Sequence, residues 1–150
     1  MHLMGDLEVE MIELMEDRMN DRDLANAPFE TVVRQYLTMM AEAFVEHRGL
    51  LRPASLIARQ NNDEQLQALL RRFNSVVHGR FRALLLERMK EVPEHIRAVR
   101  IDTAILFTSA AMREALLYGE PVSSLSPRQA TLVEQLTKAF TLYVGSSHAE

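Results

Sequence analysis

The chain has 150 residues, of which 47% are hydrophobic and 25% charged, with a net charge of −4 and no cysteine. Such a length suits a single domain over 1–150, and the hydrophobic share excludes a disordered acidic tail. The absence of cysteine excludes a disulfide framework, a thiolate metal site and a cysteine nucleophile, while the lack of a long apolar run or a signal-like start at Met1 to Asp6 points to a cytoplasmic protein with no membrane contact.

Pro28, Pro53, Pro93, Pro121 and Pro127 cut the chain into helix-sized pieces, and no segment alternates with period two. The expected fold is all-α, an antiparallel bundle of about six helices. The first helix is expected from an N-cap at Asp6 to about Asn20, with Leu7, Met11, Leu14 and Met15 inward. Residues 1–30 carry a net charge of −7 against +3 for the rest, where no basic cluster is interleaved with aromatics. DNA binding relies on neutralising phosphates, so this chain alone is not expected to hold DNA.

After a polar stretch from Asp21 to Ala27, Phe29, Val33, Tyr36, Leu37, Met40 and Phe44 share one helical face. Gly49 is expected to end that helix after His47 and Arg48. A short helix should follow from Pro53 to about Gln60. Asp63 then caps the longest helix, reaching about Met89, with Leu66, Leu69, Leu70, Phe73, Val77, Phe81 and Leu84 as its stripe and Gly79 in its interior.

From Glu94 to Tyr118 apolar residues cover nearly the whole circumference, so that helix must be buried on more than one side. One side is assigned to the core and the other to a second subunit. Ala104, Thr108, Ala111 and Ala115 form a row of small residues that would let another helix come close. The last helix is expected from Ser126, with Pro127 at its first position and Gln129 completing a capping box. Its stripe is Leu132, Val133, Leu136, Phe140 and Tyr143, and it stops at Gly145. Leu132, Leu136 and Phe140, with the small row, are the expected dimer interface. Residues 1–5 and 146–150 are expected to fray.

Catalytic signatures are missing. There is no zinc-binding histidine helix, phosphate loop, dinucleotide fingerprint or nucleophile elbow. Glu42 and Glu46 are a turn apart, with His47 pointing elsewhere, the usual mark of a wet face. Glu91 and His95 have ligand spacing, but Pro93 interrupts the turn between them. The expectation is a protein that is not an enzyme, with no metal and no cofactor.

One constellation has the makings of a binding site. Asn74, His78, Phe81 and Leu85 share a stripe of the long helix, and Gly79 stands beside His78. Polar groups, an aromatic wall and missing side-chain volume are what a small-molecule pocket needs. Tyr36, Met40, Phe44 and Phe107 would border it. The alternative is that Asn74 and His78 lie on a solvated or structural flank while the aromatics are ordinary core. Arg59, Arg71, Arg72, Arg80 and Arg82 form the main basic collection, a solvated flank from which one guanidinium could reach a ligand carboxylate. Asp102 and Ser109 mark either an intersubunit polar contact or an exposed edge.

The order of pieces also resembles a known family. Phe44-Val45-Glu46-His47-Arg48-Gly49-Leu50-Leu51-Arg52 reads as a helix end followed by a short apolar helix. Asn62-Asp63-Glu64-Gln65-Leu66 opens a long arginine-bearing helix. Arg113-Glu114-Ala115-Leu116-Leu117-Tyr118-Gly119-Glu120-Pro121 closes a nearly all-apolar one. From Gly5 to Gly145 this resembles the C-terminal effector-binding and dimerisation domain of TetR-family transcriptional regulators. The resemblance implies a helical bundle around a mostly apolar pocket, with the last two long helices of each subunit forming a four-helix dimer interface. It also implies a small apolar or amphipathic effector and a homodimer. DNA contact would come only through an N-terminal helix-turn-helix not found in these residues, whether the chain is a piece of a longer regulator or a free-standing sensor. Two other functions compete: a dimerisation module with a filled core, and a small helical-bundle enzyme dependent on His78.

Overall fold

Proline punctuation and apolar periodicity shape the computed structural model, which describes residues 26–89, 92–118 and 128–145 together with Asp6, Val9, Glu10, Ile12, Glu13, Leu14 and Asp17. The fold is all-α: the described residues between Asp6 and Asp17 are helical, five α-helices and one π-helical turn follow from Phe29 onward, and there is no strand among the described residues. The expected burial of Leu7, Met11 and Met15, the capping box at Ser126 and Pro127, and the frayed ends at 1–5 and 146–150 lie outside those residues. No helix among them is long and apolar enough to cross a membrane.

Helix α1 (Phe29–Glu46) buries Val33, Tyr36, Leu37, Met40 and Phe44 of the stripe its sequence spacing implies, leaves Phe29 half-buried, and also buries Val32, Met39, Ala41 and Ala43. It ends earlier than expected. His47 alone forms the joint, with φ −103° and ψ 18°, and α2 (Arg48–Gln60) starts at the next residue. Gly49 is therefore inside α2 and not the stop signal of α1. Pro53 lies within α2 as well, forgoing one backbone bond at an exposed position. The turn to the next helix places Asn62 at φ 49°, a left-handed conformation that asparagine tolerates better than most residues.

Helix α3 (Glu64–Arg88) has the cap its sequence announces: the Asp63 side chain accepts from the Leu66 backbone N–H at 3.1 Å. At 1.5 Å per residue its 25 residues span roughly 37 Å. Helix α4 (Glu94–Met112) does not continue to Tyr118 as an α-helix. Arg113–Leu117 form a π turn, closed by the Tyr118 N–H donating to the Arg113 carbonyl at 3.0 Å. The pattern explains the change, because Met112 and Leu117 are both buried and stand five residues apart, one π turn rather than one α turn. Helix α5 (Gln129–Gly145) completes the chain.

Four of these helices run alternately up and down. Arg88 donates to the Ala27 carbonyl while Tyr36 meets Phe81, so α1 and α3 are antiparallel. Asp102 meets Arg82 while Arg97 reaches the Met89 carbonyl, so α3 and α4 are too. Phe29 against Phe140 and Arg34 against Glu134 make α1 and α5 antiparallel as well. At the centre the Tyr36 and Phe81 rings stack at 3.7 Å and 5°, and Phe140 closes on Phe81 at 5.7 Å. Outside that stack, Arg34 bridges Glu30 and Glu134, and its guanidinium holds the Glu134 carboxyl below its ordinary pKa. Helix α2 buries only Leu51 and Ala58 and rests on α3, α1 and the π turn.

Gly79 is exposed, and a Cβ there would meet nothing within 4 Å. Alanine fits this helix interior without strain and removes the backbone entropy cost of glycine. Gly79→Ala should therefore raise stability by about 0.5–1 kcal/mol, read as a shift of the urea midpoint at unchanged slope.

Candidate ligand cleft and apolar helix face

The centre of the bundle is filled, and this relocates the expected pocket. Tyr36, Met40 and Phe81 are buried core, with the two rings stacked on each other. His78 lies half-buried against that core: its Nδ1 and the Tyr36 hydroxyl share a hydrogen bond, and its ring lies edge-on to the tyrosine at 5.8 Å. Burial, aided by the nearby Arg113 charge, pushes its pKa from 6.5 down to about 4, so the imidazole is neutral at physiological pH. Phe107 faces elsewhere, packing T-shaped on Tyr143 at 5.5 Å. Gly79 lends no volume to any pocket. Of the seven residues expected to hold a ligand, Tyr36, Met40, His78, Phe81 and Phe107 do not line the cleft described next. Phe44 and Asn74 remain.

These two line a cleft of about 250 Å³, displaced from the middle of the bundle towards α2. Its apolar floor is built by Phe44 from α1, Leu51 and Ala58 from α2, Leu70 and Phe73 from α3 and Leu117 from the π turn. Ser55, Gln67, Asn74 and Tyr118 supply polarity, and Arg59, Arg71 and Arg113 supply positive charge. Gln67 ties the walls together by donating to the Ala58 carbonyl at 2.8 Å, and the Arg59 guanidinium lies 5.4 Å over the Tyr118 ring. The Tyr118 hydroxyl is buried without a hydrogen-bond partner. Sequence spacing alone could not have joined these residues, since they come from four elements brought together by the one-residue joint at His47 and by the π turn.

A second cleft, of about 180 Å³, lies beside Glu10, Leu14, Met39, Glu42 and His47. Here the structure corrects the expectation that His47 points away from its acidic neighbours. As the cap of α1 it leaves helical geometry, and its ligand atom comes within 4.8 Å of those of Glu46 and Glu10. The group makes an ordinary surface contact, 3.9 Å between His47 Nε2 and the Glu10 carboxylate.

The expected dimer interface is also redrawn. Ala104, Thr108 and Phe140 are covered by their own chain, and the Thr108 hydroxyl is satisfied by the Ala104 carbonyl at 2.7 Å. Ala115 falls in the π turn and is rotated off the small-residue row. Ala111, Leu132 and Leu136 are half-buried at the margin. The apolar surface that remains outward is Val99 (63% exposed) and Leu106 (65%) on α4, with Leu142 (71%) and Tyr143 on α5. Asp102 is at an exposed edge, paired to Arg82 at 2.6 Å, whereas Ser109 is buried. Missing Leu142 had a simple cause: α5 carries two apolar stripes about one residue apart, and the inner one is Val133, Thr137, Phe140 and Val144.

Compared with known protein families, curated proteins and solved structures, the chain matches none.

Because the folded His78 pKa lies below its unfolded value, its contribution to stability is complete above pH 6.5 and is lost as pH falls towards 4. The loss should be about 3 kcal/mol at the acid end. His78→Gln should flatten this part of the urea stability profile, and the wild-type imidazole resonances should titrate near pH 4.

Proposed function

We propose that the chain is a homodimeric small-molecule sensing domain without catalytic activity of its own, similar in design to the regulatory half of a TetR-family regulator. The observation that carries the reading is the pairing of a lined cleft with an uncovered apolar helix face on opposite members of one bundle. Of the seven large apolar side chains exposed among the described residues, four lie on α4 and α5. These helices run antiparallel, and Phe107 against Tyr143 fixes their contact. Two such pairs related by a two-fold axis complete a four-helix bundle in which each copy covers the other's Val99, Leu106 and Leu142. A second copy suits this face because it is apolar, self-complementary and flanked by a charge already paired, Asp102 with Arg82.

Sensing would work by population shift. Helix α2 buries two side chains only, so it is the wall of the cleft held most weakly by the core. A ligand that prefers one position of α2 acts on Phe44 at the end of α1 and on the π turn at the end of α4. Through those helices it would alter the spacing of whatever the dimer carries; any DNA contact would belong to a helix-turn-helix outside these residues.

Leu106→Arg and Leu142→Arg change side chains that the single chain leaves exposed, so each should give a folded monomer by sedimentation where the wild type is a dimer. Phe140→Ala should instead cost about 3–5 kcal/mol of folding stability, because Phe140 is core. A wild-type monomer at micromolar concentration, or variants that sediment as the wild-type dimer, would overturn the assignment of this face.

A further inference from the structure

The cleft's charge is one-sided, and this narrows what it takes. No carboxylate is among its lining residues, which include three arginines. Arg59 is committed to the Tyr118 ring, while Arg71 and Arg113 have no acidic partner among the described residues. Arg113 is half-buried in the π turn, a backbone irregularity that often accompanies function. Tyr118 lines the same cleft, and its hydroxyl is buried with no hydrogen-bond partner. An arginine fork and a free phenol are donors suited to an oxyanion, and the floor beneath them, Phe44, Leu51, Phe73 and Leu117, is apolar. A volume of about 250 Å³ exceeds the ~150 Å³ that accepts benzene in an engineered cavity of another protein.

We infer that the cleft binds an anionic amphiphile: a carboxylate or phosphate head held by Arg71, Arg113 and the Tyr118 hydroxyl, on an apolar body lying over Phe44, Leu51, Phe73 and Leu117. This rests on the sensing reading above and names the ligand class of that site. Arg59 is a positioning residue, keeping the Tyr118 ring in place through its cation–π contact.

The test is calorimetric titration of the whole chain with octanoate, octyl phosphate and octanol, which share an alkyl body and differ in the head. At least one anion should bind about tenfold or more tighter than octanol, since a charge-assisted hydrogen bond is worth at least that factor. The preference should shrink as salt is raised. In an Arg71→Gln/Arg113→Gln double variant octanol binding should persist and the preference for the anion should vanish. Arg71→Gln alone, on an exposed flank where folding is not at risk, should reduce the preference in the same direction. Octanol binding as tightly as both anions, or a preference that survives in the double variant, overturns the anion assignment and leaves the sensing reading standing. Binding by none of the three overturns both.

Discussion

The stack of Tyr36 on Phe81, closed by Phe140, is where α1, α3 and α5 meet, and most other features follow from its being full. Aromatic rings at these distances leave no room between the helices. Burial beside the stack keeps His78 neutral, aided by a repelling arginine where a counter-charge would otherwise stand, and the ring shares one hydrogen bond with a phenol. Beside this stack, room for a guest opens where the helices stop facing one another. In this chain that is the end at which α2 folds back, and the cleft is there.

Helices α4 and α5 are each asked to satisfy two surfaces. On α4, Ile101, Ala104, Ile105, Thr108 and Met112 meet the core while Val99 and Leu106 turn away from it. On α5, Val133, Thr137, Phe140 and Val144 meet the core while Leu142 and Tyr143 turn away. A sequence cannot afford this in a single copy without exposing grease, which makes the outward stripes informative. Thr108 and Thr137 fit the inner stripes because each hydroxyl is returned to a carbonyl one turn back, so neither brings an unsatisfied group into the core.

The all-α class, the long helix with its Asp63 cap and the inward face of α1 were all readable from periodicity and capping chemistry, which act over one or two turns. What escaped was set by contacts remote in the chain. The joint at His47 looked like a glycine stop because Gly49 is a common terminator, yet the continuing helix supplied enough backbone bonds to absorb both Gly49 and Pro53. Ala104 and Phe140 were assigned to an interface on composition, but small and aromatic residues serve an internal helix crossing equally well. Asn74 and Phe44 line the cleft while Tyr36 and Phe81 stack on each other, because which part of a stripe meets another side chain depends on the opposite wall.

The π turn at Arg113–Leu117 amounts to a single extra residue spliced into an otherwise regular α4. Each residue of an α-helix advances about 100° around the axis, so everything beyond the splice is wound by that amount relative to an uninterrupted rod. Forcing the same residues into regular α geometry would swing Leu117 out of the core and Tyr118 away from Arg59. Shortening the segment by one residue would instead leave Leu117 one α turn beyond Met112, still facing the core, so the extra residue and the wound turn compensate each other.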